Sequence, residues 1–252
     1  LEAHPLVHRW DNARPPRLTI NPGDTVVLEM ADSSGFQVQP DWTTADFRTR
    51  FDPLKVHALT GPVAIAGAEP GDRLEIRIGA YEHKGWAWTS LIPGLGLLPE
   101  DFPEHHLFIW KLEGGRTRSF PGVTLDLHPF AGIIGGNMDV RHLTQGTTLF
   151  LPVLTPGANL LAGDCHAAQG DGEVCINGME APMRVSLEIH LHKAQPLAAP
   201  YAVCPNPLVP PRYQTKPWHL FIESDEQPRE ACKRVVRRAI EYLTRRLGGT
   251  PQ

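Results

Sequence analysis

The chain has 252 residues, 41% hydrophobic and 21% charged, with a formal net charge of −4. That length buries a full core, as one large β domain or two smaller ones, and the composition is that of a soluble globular protein. The acidic balance, with no dense Lys/Arg run before the C-terminal segment, argues against a nucleic-acid partner. The longest charge-free run, His142 to Gly163, is broken by Gln145, Gly146, Pro152, Pro156 and Asn159, so no membrane partner is expected. High Gly (23) and Pro (25) favour turns and short strands over helices. Cys165, Cys175, Cys204 and Cys232 form no CxxC pair, and no basic-then-apolar leader opens the chain. Reduced thiols and a cytoplasmic location are the expectation.

Taken in chain order, residues Arg17 to Met30 give two short strands around the turn Asn21-Pro22-Gly23-Asp24, followed by Asp32 at a strand end. The pattern recurs: Pro62 to Ala66 as strand, Glu69-Pro70-Gly71-Asp72 as turn, Arg73 to Ile78 as a strand with Leu74, Ile76 and Ile78 inward. Gln145 to Leu151 is a third copy, without the fixed period of a solenoid. Tyr81 to Phe102, with Trp86, Trp88, Pro93 and Pro99, reads as an aromatic loop that walls a pocket or caps a sheet. Val174-Cys175-Ile176 reads as a short strand. Arg184 to His192 reads as a longer one, with His190 and His192 on its solvated face. Pro196 to Pro217 is a proline-rich connector. One long helix is expected from Ser224 or Asp225 to near Gly248, with Ala231, Val235, Ala239, Tyr242, Leu243 and Leu247 as its apolar stripe. Lys233, Arg234, Arg237, Arg238, Arg245 and Arg246 are expected to face solvent. The fold class is therefore mainly β (α+β): a two-sheet, jelly-roll-like β-sandwich with a C-terminal helix. The expected division is a core at 1–195 and a connector plus packed helix at 196–252.

The stretch Gly163-Asp164-Cys165-His166-Ala167-Ala168-Gln169-Gly170-Asp171-Gly172-Glu173 gathers three carboxylates and a histidine among three glycines. This composition suits a tight loop turning polar groups toward one point. Where the backbone is extended, Asp164 and His166 leave the same face and suit a divalent metal. Glu173 is then a further ligand or a general base. The plain alternative is a polar turn whose aspartates bond their own backbone.

This segment resembles the signature Gly-Asp-x-His-Ala-x-Gln-Gly-Asp-Gly-Glu of the acetamidase/formamidase family. Other ordered matches are His8 to Asn12, Pro22 to Val26, His57-Ala58-Leu59-Thr60-Gly61-Pro62-Val63, Gly67 to Asp72, Pro93 to Pro99, Gly135-Gly136-Asn137-Met138-Asp139 and Leu151-Pro152-Val153. One departure stands out. Family members carry an insertion between the Pro-Phe-x-Gly-x-Ile segment and Gly-Gly-Asn-Met-Asp, whereas here Ile134 meets Gly135 directly.

The resemblance implies a β-sandwich amidohydrolase, with a bound divalent metal such as zinc, that acts on small aliphatic amides as a homo-oligomer. Asp32, His57, Asp164 and His166 are the candidate metal ligands. Glu173 is the candidate proton shuttle, Asp139 a carboxylate behind the ligands, and Asn137 a donor orienting the carbonyl. Glu180 reads as structural. Two rivals stand beside this reading: a cysteine amidase using Cys165, and a non-catalytic β-sandwich that binds a metal or a carbohydrate.

Overall fold

The computed structural model describes residues 1–209, 214 and 216–247. The chain begins with β1 (Leu18–Ile20), β2 (Thr25–Met30), α1 (Thr44–Arg50), β3 (Leu59–Ile65), β4 (Arg73–His83), β5 (Trp86–Leu91) and β6 (His106–Glu113). It continues with β7 (Arg116–Thr117), β8 (Leu125–Asp126), β9 (Phe130–Ile134), β10 (Thr148–Pro152), β11 (Leu160–Ala168), β12 (Met179–Glu180) and β13 (Met183–His192). β14 (Tyr201–Cys204), β15 (Trp218–Phe221) and α2 (Pro228–Leu247) complete it.

Two sheets result, as expected. The first runs β1-β3-β11-β12-β5-β6-β7-β8, with β9 also paired to β11; the second runs β15-β14-β10-β4-β13-β2. The alternating strands behave as their period dictates. Leu74, Ile76 and Ile78 of β4 and Val185, Leu187 and Ile189 of β13 are buried in one cluster with Val63, Ile65, Phe130, Ile134 and Leu160 of the first sheet. Burying each such side chain contributes about 1.5–3 kcal/mol. The two Pro-Gly-Asp turns share one geometry. Asp24 accepts from the Asn21 N–H at 2.8 Å and Asp72 from the Glu69 N–H at 2.9 Å. Gly23 and Gly71 sit at φ 95° and 93°, a conformation that side-chain-bearing residues resist.

Four expectations are corrected. Tyr81 to Phe102 is not all loop: β4 extends to His83 and Trp86–Leu91 is β5, because Trp88 packs with Val38, Trp42, Phe47 and Leu107 in a second small core. Val174-Cys175-Ile176 is a turn with Val174 and Ile176 exposed, not a strand. Within Pro196 to Pro217, Tyr201–Cys204 is a strand pairing with β10, so the boundary at 195 falls between two strands of one sheet. Residues 210–213 and 215 of that connector lie outside the described residues.

The helix is the fourth correction. It starts at Pro228, suited to a first turn whose N–H groups go unpaired, while Asp225 caps the preceding Gln227 N–H at 2.8 Å. Leu243 is exposed. Arg238 is drawn inward instead, donating to Glu223 at 2.8 Å and to the carbonyls of Ile222, Ala199 and Pro200. The expected helix end at Gly248 and the Leu247 side chain fall outside the described residues. No described helix is long and apolar enough to cross a membrane.

Candidate active site

The Gly163–Ala168 stretch, expected as a tight loop, is extended strand within β11. His166 lies opposite Phe130 of β9 on one side and Glu180 of β12 on the other. Strand alternation sends Cys165 and Ala167 into the core between the sheets and leaves Asp164 and His166 on the other face. Asp164 has φ 58°, a left-handed value that aspartate tolerates better than most residues. Across from it, a Cβ on Gly132 would come within 2.4 Å of Asp139 Oδ1, 3.0 Å of Asp164 Oδ2 and 3.1 Å of His166 Cε1. Bare backbone at Gly132 is what lets three functional groups converge.

His166 is the hub. Its Nε2 lies 2.8 Å from Glu180 Oε1, 3.6 Å from Glu173 Oε1 and 4.0 Å from Asp164 Oδ1, and its ring stacks on Phe130. Glu180 is fully buried and accepts the N–H groups of Gly178 at 3.2 Å and Ser33 at 3.1 Å. His57, half exposed, places Nδ1 3.4 Å from Asp164 Oδ2. Asp32 is buried and accepts from the Ser34 N–H at 2.7 Å and Trp88 Nε1 at 3.3 Å. Asp139/Asp164/His166 and His166/Glu173/Glu180 form two triplets whose polar atoms lie within 4.8 Å of one another.

Other candidates are placed elsewhere. Asn137 is exposed and lines a separate cavity with Trp10, Pro62 and Leu151. Asp171 points outward and pairs with Arg141 at 2.6 Å. Cys165 Sγ contacts Met30 Sδ at 3.7 Å inside the core, where burial pushes the thiol pKa well up. It has neither access nor the thiolate a nucleophile needs. Glu180 is the residue that sequence reasoning passed over. Its carboxylate joins the cluster only through the pairing of β12 with β11, which no local pattern announces.

Burial and mutual repulsion set the charges. Burial, with a contribution from Glu180, lifts the Asp32 carboxyl to about 6. Burial lifts Glu173 to about 7 and moves Asp139 upward as well. For His166, burial opposes the imidazolium, but the negative charge and hydrogen bond of Glu180, then Asp164 and Glu173, outweigh it and hold the ring up to about 10. His57 is raised chiefly by its bond to Asp164.

The donor set fits a divalent cation. Asp32 Oδ2, Asp139 Oδ1, Asp164 Oδ1 and His166 Nδ1 are buried without a hydrogen-bond partner. The two triplets hold four carboxylates against one imidazole. Orphaned polar atoms and unbalanced charge are costly in an interior, and hard oxygen donors with imidazole nitrogen suit such an ion.

A two-sheet scaffold that carries a buried cluster of proton donors and acceptors offers the groups that hydrolytic chemistry uses. The chain belongs to the Acetamidase/Formamidase family, an amidohydrolase family whose model matches residues 2–136 and 134–251. The match breaks and resumes at the junction where Ile134 meets Gly135. The chain is 30% identical to an acetamidase from Bacillus halodurans of known crystal structure, with a TM-score of 0.73 over 81% of this chain and 76% of that one. It is 25% identical to a formamidase of Methylophilus methylotrophus, over 68% of this chain and 60% of that protein. It is 24% identical to an acetamidase of Mycolicibacterium smegmatis, over 83% and 71% respectively.

Proposed function

We propose that this protein hydrolyses a small aliphatic amide, formamide or acetamide, to a carboxylate and ammonia, with a divalent metal, zinc, as cofactor. The observation that carries the reading is the position of Glu173, 3.6 Å from His166, at the partly exposed edge of an otherwise buried cluster. The names of the relatives above, formamidase and acetamidase, support the substrate class.

Asp164 and His166 would hold the ion, with His57, Asp32 and Glu180 as further donors and Asp139 close behind. When bound, the ion would polarise the substrate carbonyl and acidify a water. Glu173 takes the proton released as the water attacks and passes it to the departing nitrogen. A carboxyl lifted to about 7 by burial is suited to both directions of that transfer. Phe130 and Trp88 keep the floor dry and fix the His166 ring and the Asp32 carboxylate. Asn137, placed apart, takes no part in this reading.

The proposal extends to assembly, organisation and location. Trp88 is buried, but Leu95, Leu97, Leu98 and Phe102 in the adjoining loop are exposed, a surface suited to a homo-oligomer. The proposed division is a core at 1–195 and a connector plus packed helix at 196–252, with β14 and β15 of the connector completing the second sheet of the core. All four cysteines are free, in keeping with the cytoplasm.

The test is ammonia release from formamide and acetamide alongside metal analysis. Ammonia should appear, vanish on chelation and return with zinc. No ammonia from any short amide would leave only a binding protein. Inactivation by iodoacetamide but not by chelator would restore the cysteine mechanism.

A further inference from the structure

Gln169, one residue past β11, is a side chain the mechanism above leaves unused. Its Nε2 donates to the Asp139 carbonyl at 3.4 Å, while Oε1 is buried with no partner. That contact assigns the amide nitrogen to the Asp139 side, since the flipped amide would set two carbonyl oxygens together. A buried acceptor without a donor is a strained arrangement that a ligand can relieve. At Gly178 a Cβ would stand 3.1 Å from Gln169 Oε1 and 2.9 Å from His166 Cδ2, so only bare backbone there lets the amide oxygen and the histidine hub lie this close together. Gln169, Gly178 and Glu173 line the same cavity.

We propose that Gln169 Oε1 accepts an N–H of the substrate amide and makes the site selective for primary amides over esters. This rests on the amidase reading above and deepens it. In the reaction a water oxygen bonds to the carbonyl carbon, the C–N bond breaks, the proton from that water travels through Glu173 to nitrogen, and ammonia leaves. A primary amide nitrogen carries two hydrogens. Giving one to Gln169 orients the nitrogen so that its developing lone pair faces the Glu173 proton. An ester oxygen has no hydrogen to give and would set lone pair against lone pair at Oε1. Sites built around a substrate N–H or O–H reject analogues that lack it far more strongly than apolar pockets reject a change of size.

The experiment compares Gln169→Leu with the wild-type metal-loaded protein. It measures kcat/KM for acetamide and the inhibition constant of methyl acetate, which carries a methoxy group in place of the NH2 and has no N–H. The expected result is a fall in acetamide kcat/KM of about tenfold or more, with methyl acetate binding as well as before or better. If both weaken in step, Gln169 only supports the loop, and the inference fails; it fails equally if acetamide turnover is unchanged. Should the leucine variant lose its folded circular dichroism spectrum, Gln169→Met, closer in length, carries the same comparison. Absence of amide turnover in the wild-type protein would sink the functional reading itself. Wild-type turnover with an unchanged preference in both variants would sink the inference alone.

Discussion

Two places in this molecule bring histidines and carboxylates together, and they differ in everything but residue type. On the outer face of the second sheet, His190 pairs with Glu188 at 2.5 Å and His192 with Glu75 at 2.7 Å, while Arg77 reaches both acids at 2.8 and 3.0 Å. Each carboxylate there has both an arginine and a histidine partner, and Arg77 is half exposed. Around His166, carboxylates outnumber cations, burial is nearly complete for Asp164, His166 and Glu180, and several polar atoms have no partner. The first arrangement is a surface that water would tolerate in any geometry, where ion pairs are worth little. The second persists only because the surrounding fold overdetermines it, down to left-handed backbone at His57, Asp139, Asp164 and Glu173. Composition makes neither a site; unsatisfied burial singles out the second as the candidate.

The largest expected effect lies at Glu173. Glu173→Gln keeps the size and polarity of the side chain but not its proton chemistry. Turnover should fall about 100- to 10,000-fold, while metal content and Tm stay near wild type. Near-normal turnover would remove Glu173 from the mechanism, and loss of metal would make it a ligand.

Next is Asp164→Asn. Asparagine accepts left-handed backbone as readily as aspartate does, so the strand should survive. Removing one negative charge from the crowded cluster relieves repulsion in chelated protein but weakens the donor set. Calorimetry should therefore show an unchanged or higher Tm without metal and a smaller rise on adding it than in wild type. As a control, His190→Gln with His192→Gln on the outer face should alter neither metal binding nor turnover. A parallel loss there would erase the contrast between the two clusters.

What could be read in the sequence follows the range of the interactions. The Pro-Gly-Asp turns were legible because each closes on itself within four residues. β4 and β13 were legible because period-2 alternation is local. That Asp164 and His166 share a face follows from their spacing alone. Glu180 was not legible, since its role needs β12 laid against β11 and two backbone N–H groups aimed at its oxygens. β5 hid among prolines and tryptophans because its strand character comes from pairing with β6, not from its own pattern. Val174-Cys175-Ile176 misled for the opposite reason. It is an apolar triplet whose surroundings, the Leu97 N–H bonded to the Val174 carbonyl at 2.8 Å, make it a turn at the rim of the site.

The smallest expected effect tests the paired side of the comparison. Where β13 ends beside the start of β4, Asp72 accepts from Lys193 Nζ at 2.6 Å and from the N–H groups of Ala194 and Glu69. The Lys193 hydrogen bond, followed by the backbone N–H of Ala194, holds its carboxyl down at about 2. The unfolded chain would titrate near an ordinary aspartate value of about 3.9. A folded-state pKa below the unfolded one means that the ionised group stabilises the fold above about pH 4, and that this contribution fades as pH falls toward about 2. Asp72→Asn should therefore lower Tm slightly at neutral pH, and the gap to wild type should narrow steadily on acidification through that window. Added salt should narrow it too, because Lys193 is largely exposed. A gap that holds constant from neutral to about pH 2 would show that the side chain acts only through its shape and its backbone bonds, one to each carboxylate oxygen, of which the single amide oxygen of asparagine keeps one.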